Sequence, residues 1–267
     1  MHKLSVFLLM LIAVMGACKK SGSDSNIPGF DGKTCKILTM STTQTGYSSS
    51  AWFYYNSSGN LLYTRSTSSL LPGDTSVGMQ YKYQGGILQY SFFSNSINFS
   101  DTVFYFFNGT GRLQSTTEHN RAGSTLLSTK TDYFYNSSGK VIYTLARQTI
   151  DTVFVKNDSI LYSYTGNNVT KFKQFEKTGY GTWLTLTIDI SYDNMKNYNK
   201  AMGMPADSYF YWSENNITQM KFADSTNAFR TINISKYNES GYPTELTEID
   251  NPLQQGPFTV VMTYQCK

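Results

Sequence analysis

Side chains able to carry acid, base or metal chemistry are sparse in this sequence. Apart from His2, the only histidine is His119, which lies in the polar run Glu118-His119-Asn120-Arg121. That run predicts a turn with a solvated histidine. A histidine-based triad or a histidine-rich metal site would have to be built around this one ring. The sequence therefore predicts neither a catalytic histidine nor a metal site.

Asp189 and Asp193 are the one close pair of carboxylates inside a predicted strand. Residues four apart in a strand face the same side, but they lie too far apart to share a proton. Their spacing would suit a glycosidase pair only by accident. The sequence also has no phosphate-binding glycine loop, no CxxC pair and no EF-hand loop. We expect no enzyme activity and no cofactor, and an envelope hydrolase that uses these two carboxylates is the last of three hypotheses.

Aromatic side chains are abundant, with 21 Tyr, 17 Phe and 3 Trp. Many of them come just before a tight-turn signal, so we expect them to gather at one end of the fold. Rings exposed there would form a stacking platform for glycan rings or for a partner protein, whereas buried rings would fill the interior and shield the hairpin ends. The residues that could form this aromatic binding surface are Tyr81, Tyr83, Tyr133, Tyr135, Tyr162, Tyr164, Tyr211 and Trp212.

The element that would position these rings is a β-hairpin that recurs along the chain. In the segment 133–142, an aromatic run leads into Asn136-Ser137-Ser138-Gly139, and a second apolar run follows. Asn136 can open a type I turn with its side chain, and Gly139 can supply the positive φ that closes a three-residue loop with a bulge. Variants of this hairpin recur about every 26 residues. The glycines predicted to take the same role are Gly59, Gly111 and Gly241.

Looser turn signals lie between the tight ones, so each repeat holds one hairpin. Counting both kinds of turn gives about 16 strands. Strands this close in sequence pair with their neighbours, which predicts an all-β, up-and-down antiparallel meander. Because an open sheet of this size would leave two long edges, we expect a closed or nearly closed barrel. The irregular segments are 194–206, interpreted as a long loop with one helical turn, a degenerate copy at 190–193, and a hairpin copy at 210–217.

Two cysteines lie near the ends of the predicted barrel, Cys35 in the first strand and Cys266 in the last. An exported protein folds where disulfides form. If the meander closes, the segment 258–266 would pair with the segment 35–39, and a disulfide there would close a loop of more than two hundred residues. The alternative is two buried thiols that never meet.

The N-terminus carries an export signal. A short basic region leads into an apolar run and the small pair Gly16-Ala17, a pattern too short to span a bilayer as a mature helix. Cys18 follows directly and resembles the lipobox of bacterial lipoproteins, in which the cysteine is lipidated and becomes the mature N-terminus. Ordinary signal cleavage, which would release the protein, is the alternative. The predicted organisation is a lipoprotein signal peptide at 1–17, a lipidated cysteine with a flexible tether at 18–32, and a single β-roll domain at 33–267.

The hairpins also carry two resemblances to known proteins. Those at 107–113 and 135–141 resemble the YD repeat of RHS-type proteins, with asparagine in place of the aspartate. Together with the lipobox, the Tyr192-Asp193 segment and the Asn215-Asn216 hairpin, they more closely resemble uncharacterised Bacteroidetes-type lipoproteins described as having a porin-like fold. This resemblance covers essentially the whole mature chain. It implies a barrel-like shape, and it implies no activity or site residue.

The lipobox and tether predict a cell-envelope protein that is lipid-anchored to the outer membrane, on the periplasmic side or at the cell surface. A membrane-spanning pore is the less favoured interpretation of the barrel. The segment 184–190 alternates cleanly, as a spanning strand would, but 103–107 is apolar on both faces. A lipid anchor would also be redundant on an integral barrel.

Charge indicates little about partners. Lys+Arg 22 and Asp+Glu 18 give a formal net charge of +4, without an extended basic cluster, so nucleic acid is not an expected partner. The leading hypothesis is a lipid-anchored envelope module that binds or scaffolds a partner protein or a glycan. The second is a structural shell module without a ligand of its own, similar to the RHS shell.

Overall fold

The structure is a computed structural model that describes residues 34–69, 78–94, 99–178, 181–203, 209–223, 229–250 and 257–267. The predicted signal peptide, Cys18 and the tether at 18–32 lie outside these residues. The helices are α1 Tyr198–Ala201 and α2 Tyr209–Trp212. In the described part of the chain, no helix is long and apolar enough to cross a membrane. The strands are β1 Cys35–Gln44, β2 Tyr47–Tyr55, β3 Leu61–Ser68, β4 Met79–Gln84, β5 Ile87–Ser94, β6 Phe99–Phe107, β7 Leu113–Ala122, β8 Thr125–Tyr135, β9 Val141–Ile150, β10 Val153–Thr165, β11 Asn168–Thr178, β12 Gly181–Lys196, β13 Asn215–Phe222, β14 Phe229–Tyr237, β15 Pro243–Asp250 and β16 Phe258–Cys266.

The strands form a closed antiparallel barrel. Each strand pairs with its neighbours in sequence, and β1 pairs with β16 to complete the circle. The closing register runs from Cys35 opposite Cys266 to Thr43 opposite Thr259. The predicted all-β meander and its predicted closure are therefore confirmed. Closure also pairs the apolar strand β16 on both sides, which removes an exposed edge.

The tight turns have the geometry that the sequence predicts. In the turn after β8, Gly139 has φ +80°, and its N–H donates to the Asn136 carbonyl over 3.0 Å. The Asn136 side-chain oxygen accepts hydrogen bonds from the Lys140 N–H and the Ser138 hydroxyl, at 2.9 and 2.8 Å. A Cβ atom resists the left-handed region, so this position favours glycine. The other predicted glycines have φ +81° at Gly59, +77° at Gly111 and +82° at Gly241.

The two ends of the barrel differ. Because the strands alternate in direction, the connections after even-numbered strands share one end, which we call the tight-turn end. Thr34 and Lys267 also lie there, joined by a backbone hydrogen bond of 3.1 Å. The connections after odd-numbered strands lie at the opposite, loose-turn end.

The described parts of the connection between β12 and β13, 197–203 and 209–214, pack into the interior at the tight-turn end. They contain α1 and α2, so the helical turn predicted within 194–206 is confirmed. The hairpin predicted at 210–217 is wrong, because α2 occupies its first half and β13 begins only at Asn215. Trp212 of α2 packs edge-on against Tyr162 and Tyr133, with ring centroids 4.9 and 6.4 Å apart. Aromatic side chains therefore close this end of the interior.

Along each strand, side chains alternate between the interior and the outer wall. Tyr133 is buried, whereas the next residue, Phe134, is 45% exposed. The outer wall also carries ion pairs, and the carboxylate of Asp132 lies 3.1 Å from Lys130 and 3.6 Å from Arg147. The wall is thus a mixture of aromatic and charged side chains.

Two seams between neighbouring strands are the least completely paired in the described residues. At the β3/β4 seam the register consists of Tyr63 opposite Gln80. At the β13/β14 seam only 219–221 pairs with 229–231, although both strands continue beyond these residues. A cavity of about 640 Å³ lies at the β3/β4 seam, and one of about 460 Å³ lies at the β13/β14 seam.

Candidate functional site

The aromatic residues singled out from the sequence lie inside the barrel. Tyr81, Tyr133, Tyr162 and Tyr211 are buried. The other four, Tyr83, Tyr135, Tyr164 and Trp212, are partly buried and pack against the core. The expectation that these eight rings form an aromatic binding surface is therefore corrected, because the rings fill the interior and shield the hairpin ends, which was the alternative interpretation.

Two of these rings, Tyr135 and Tyr164, also tie hairpins together, and three further tyrosines make the same kind of bond. A tyrosine hydroxyl near the end of a strand donates to the carbonyl of a residue near the start of the preceding strand. Burial raises the pKa of Tyr192 to about 12, so its hydroxyl stays protonated and able to donate. The hydrogen bonds are Tyr55 to Ile37 at 2.9 Å, Tyr135 to Leu113 at 2.6 Å, Tyr164 to Val141 at 2.8 Å, Tyr192 to Val169 at 2.5 Å and Tyr264 to Pro243 at 2.5 Å.

A different set of aromatic residues faces outward. Tyr54 and Tyr63, on the paired strands β2 and β3, stack with ring centroids 4.3 Å apart and an interplanar angle of 15°. Their exposed fractions are 38% and 41%. Stacking holds each ring against the other while leaving ring surface open to a ligand. This Tyr54–Tyr63 platform lies at the edge of the β3/β4 seam.

The cavity at the β3/β4 seam gives this platform a polar neighbourhood. Arg65, Gln80 and Lys82 are exposed and line it, together with Tyr63. Among the described residues, none that lines the cavity is a carboxylate. The site therefore combines an aromatic face, an amide that can donate and accept, and two cationic groups that can donate to carboxylate oxygens.

Gly78 brings the chain that leads into β4 very close to β3 at the seam. Gly78 comes directly before β4, and a Cβ atom added to it would lie 2.1 Å from the Thr64 carbonyl oxygen. The chain can therefore approach β3 this closely only with glycine at this position. The Met79 N–H donates to the Thr64 hydroxyl over 3.2 Å. Thr64 and Gly78 both line the cavity.

His119 lies in strand β7, so the prediction of a solvated turn is wrong. Its Nδ1 lies 2.8 Å from the Ser128 hydroxyl, and its ring packs edge-on against Phe104 at 5.8 Å. The described residues contain no group of three or more His, Cys, Asp and Glu side chains that could hold a metal ion.

Asp189 and Asp193 have separate environments. Asp189 forms an ion pair with Lys171 at 3.0 Å on the outer wall. The Asp193 carboxylate accepts hydrogen bonds from the Asn216 N–H at 3.0 Å, the Asn216 amide at 3.0 Å and the Tyr237 hydroxyl at 2.9 Å. Irregular pairing after Ser191 separates the two carboxylates, so they do not share one regular strand face.

Cys35 and Cys266 form a disulfide at the tight-turn end. The bond joins the first and last strands across the closing register. It therefore lies where the barrel circle is completed. The Asn238 amide nitrogen lies 3.8 and 3.7 Å from the two sulfur atoms.

Comparisons with known proteins identify the fold. No family model matches the chain, and no curated protein is similar to it in sequence. A porin-like protein from Bacteroides uniformis has a similar crystal structure, with a TM-score of 0.55, 16% identity, and coverage of 86% of this chain and 96% of that one. A porin-like protein from Bacteroides vulgatus has a TM-score of 0.53, 11% identity, and coverage of 86% and 98%. The chain thus has a porin-like fold.

Sequence reasoning missed the outward residues of the seam. Tyr54 and Tyr55 are consecutive in β2, so one of the two rings must face outward, and the same alternation predicts that Lys82 lies between the inward Tyr81 and Tyr83. That signal was available in the sequence. The incomplete pairing of β3 with β4 has no comparable pattern in the amino-acid sequence that could have predicted it.

Proposed function

We propose that this protein is a lipid-anchored envelope protein that binds a carboxylate-bearing glycan on the outer wall of its barrel. The observation that carries this proposal is the exposed Tyr54–Tyr63 platform beside the β3/β4 cavity, with Arg65 and Lys82 at its rim. Sugar rings present apolar C–H faces that pack on aromatic rings, and uronic-acid carboxylates accept charge-assisted hydrogen bonds.

The size of the cavity suits a short stretch of glycan. About 640 Å³ falls within the range of small-ligand sites. The second phenol ring, Tyr54, lies behind Tyr63, so little side-chain freedom is lost when a sugar packs on the platform. Because Arg65 and Lys82 are exposed, they should add little to the free energy of binding. Their main contributions should be specificity for an acidic sugar and a salt-dependent part of the affinity.

The outer wall favours an aqueous location for the barrel. Lys130, Asp132 and Arg147 form an ion-pair cluster on the outer wall, and Asp189 pairs with Lys171 on another part of the wall. Charged side chains on a lipid-facing wall are costly near the middle of a bilayer. Trp212 also packs against Tyr133 and Tyr162 inside the tight-turn end, where an open channel would need free space. We therefore propose a barrel that is held at a membrane and does not span it.

Lipidation of Cys18 would supply the attachment. Thr34 lies at the tight-turn end, and the tether from Cys18 to Thr34 spans 34 − 18 = 16 residues. The Ser- and Gly-rich sequence of this segment predicts a flexible tether, for which that length would give a root-mean-square span of about 20 Å. The anchor would keep the tight-turn end nearer to the membrane and leave the side wall, with its seam cavities, accessible.

The proposed activity is binding without catalysis. Asp189 is engaged by Lys171, and Asp193 holds Asn216 and Tyr237 in place. Both carboxylates thus have structural roles that account for their positions, and neither lines the β3/β4 cavity.

A glycan array tests the ligand class. The full chain should give stronger signals on uronic-acid oligosaccharides than on neutral ones of equal length, and the Tyr63→Ala variant should lose those signals. Crosslinking to envelope fractions runs in parallel. Equal signals on neutral glycans, or protein partners alone, would contradict the proposal.

The anchor is tested separately with a Cys18→Ser variant. We expect this variant to lose acyl label and to leave the membrane fraction. Unchanged membrane association would contradict lipid anchoring, and it would leave the glycan proposal to its own test.

A further inference from the structure

We propose that the loose-turn end of the β9–β10 hairpin docks on an anionic phospholipid bilayer. Val153, Phe154 and Val155 are consecutive at the start of β10, and they are 68%, 55% and 41% exposed. We call these three residues the apolar tip. A run of exposed apolar residues is unfavourable in water and is typical of a surface that enters the boundary between lipid headgroups and acyl chains.

The turn that carries the apolar tip is held in place by its neighbours. Asp151 and Thr152 form its centre, with φ +47° and +81°, and positive φ at both central residues matches the natural twist of paired strands. The Asp151 side chain accepts the Leu126 N–H over 2.8 Å, and the Asp151 N–H donates to the Leu126 carbonyl over 2.9 Å. The hairpin is thus bonded to the start of β8, so little freedom is lost when the apolar tip docks.

Trp183 adds an aromatic ring at the same end of the barrel. The starts of β10 and β12 both follow odd-numbered strands, so both lie at the loose-turn end. Trp183 is 47% exposed, and the next residue, Leu184, is exposed to a similar extent. A tryptophan with an apolar body and a free edge suits the interface between membrane and water.

A row of cations crosses the outer wall beside the apolar tip. Lys130 lies opposite Arg147 in the β8/β9 register, and Arg147 lies opposite Asn157, two residues after the tip. Asn157 in turn lies opposite Lys177, which is exposed. With about 4.8 Å between neighbouring strands, this basic row spans roughly 14 Å. Its charge complements lipid phosphates, because Asp132 is the one carboxylate that pairs with Lys130 and Arg147 in the described residues.

Other carboxylates near the basic row are engaged. Asp158 and Glu176 lie 3.1 and 2.8 Å from the Lys156 ammonium group, and strand alternation turns these three side chains away from the basic row. The Asp151 carboxylate keeps its charge at the turn. The three cations of the basic row outnumber Asp132 and Asp151, so the surface around the apolar tip stays positive.

Docking here leaves the proposed glycan site open. β10 lies seven strands around the sixteen-strand circle from β3, which is nearly the opposite side of the barrel. A bilayer at the apolar tip would therefore have the β3/β4 seam facing away from it. The inference rests neither on glycan binding nor on lipidation of Cys18, and failure of either leaves it to its own test.

Tryptophan quenching by brominated lipids tests the docking. The chain from residue 18, with Cys18→Ser, lacks the predicted signal peptide and any acyl chain, and it keeps the whole barrel, which begins at Cys35. It is titrated with vesicles of brominated phosphatidylcholine, either alone or in equal parts with phosphatidylglycerol. We expect saturable quenching on the anionic vesicles, binding at least about tenfold weaker on the neutral ones, and loss of the quenching in Trp183→Phe. No quenching, or equal affinity for both vesicles, would overturn the proposal.

Matched variants locate the docking surface. Phe154→Ser should weaken vesicle binding by about fivefold or more, whereas Phe106→Ser, at a similarly exposed ring on β6, should leave it within about twofold. Lys177→Gln should weaken it by about fivefold, and Lys267→Gln, at an exposed lysine of the tight-turn end, should not. Equal losses within either pair would overturn the assignment, and the wild-type quenching does not depend on any variant folding.

Light scattering without vesicles distinguishes a second copy of this chain from a bilayer. We expect the wild type and Phe154→Ser to have the same mass. A wild-type dimer that Phe154→Ser dissociates would assign the apolar tip to a second copy and overturn the proposal.

Discussion

The hydroxyl of Tyr135, at the end of β8, donates a 2.6 Å hydrogen bond to the carbonyl of Leu113, at the start of β7. The two strands are joined by a turn at the loose-turn end, so this bond ties together the opposite end of the same hairpin. Arg112 lies over the Tyr135 ring at 5.7 Å. The same arrangement recurs where Lys36 lies over Tyr55 and where Lys140 lies over Tyr164.

Removing this one hydroxyl tests the role of the tyrosine bonds. In Tyr135→Phe the Leu113 carbonyl loses its partner, so we expect the free energy of unfolding to fall by about 1 to 2 kcal/mol. Tyr54→Phe, which changes an outward ring, serves as the control and should change it by less than about 0.5 kcal/mol. Urea unfolding measures both, and equal effects would contradict the assigned role.

The turn assignment predicts a contrast between two adjacent residues. Gly139→Val places a β-branched residue at φ +80° and should cost roughly 1 to 2 kcal/mol. Ser138→Ala removes only an exposed hydrogen bond to Asn136 and should cost far less. Thermal unfolding of the two variants under the same conditions checks the difference. Similar losses would argue against a positive-φ requirement at Gly139.

The disulfide should stabilise the barrel without being required for its closure. Cys35 and Cys266 are 231 residues apart in sequence, for which the chain-entropy model gives about 5 kcal/mol. The Cys35→Ser/Cys266→Ser variant should therefore unfold at much lower urea concentration, while its circular dichroism spectrum in buffer stays that of the closed sheet, because β1 and β16 remain paired up to Thr43. Unchanged stability would show that the two sulfurs are not bonded in solution.

The sequence could predict the architecture because the fold depends on local signals. Turn residues such as Asn136 and Gly139 act within four positions, and their spacing sets the number and order of strands. Closure followed from the cost of leaving the apolar segment 258–264 as an edge. The copy at 210–217 misled because its aromatic and Asn-Asn pattern resembles a hairpin, whereas Trp212 packs inside the barrel and holds its segment as a helical turn.

The candidate site was harder to predict because it depends on missing pairing. Strand alternation could have marked Tyr54 and Lys82 as outward. The cavity lies where the described residues of β3 and β4 pair at Tyr63 and Gln80 and no further. Periodicity carries no information about such a gap. Gly78 is one local sign of the close approach, since a side chain there would meet the Thr64 carbonyl.

A buried carboxyl in the interior predicts a pH dependence. Burial, and to a smaller extent the nearby Glu118, raises the pKa of Asp101 to about 7. Its register partners are Asn120 and Phe93, and its Oδ1 is buried with no hydrogen-bond partner in the described residues. The folded protein thus holds a proton that the unfolded chain releases near pH 4, so the free energy of unfolding should fall as pH rises from about 4 through 7.

Asp101→Asn keeps a neutral side chain at this position, so the free energy of unfolding should no longer fall between pH 4 and 7 and should exceed that of the wild type at pH 8. Each unit by which the pKa of Asp101 is raised corresponds to about 1.4 kcal/mol. Asp132→Asn removes a carboxylate from the outer wall and controls for the loss of one charge. Urea midpoints measured from pH 4 to 8 give the comparison. A wild-type profile without this fall, or one that Asp101→Asn leaves unaltered, would contradict the raised pKa of Asp101.

Isothermal titration of trigalacturonate into the full chain and its Tyr63→Ala variant tests glycan binding most directly. Phe134→Ala is the matched control, because Phe134 is a similarly exposed ring that packs on Tyr143 at 5.2 Å elsewhere on the wall. We predict saturable binding that weakens with added salt, a loss of about tenfold or more in Tyr63→Ala, and no change in Phe134→Ala. The same Kd for the wild type and Tyr63→Ala, or no binding of the acidic trimer at low salt, would contradict the account.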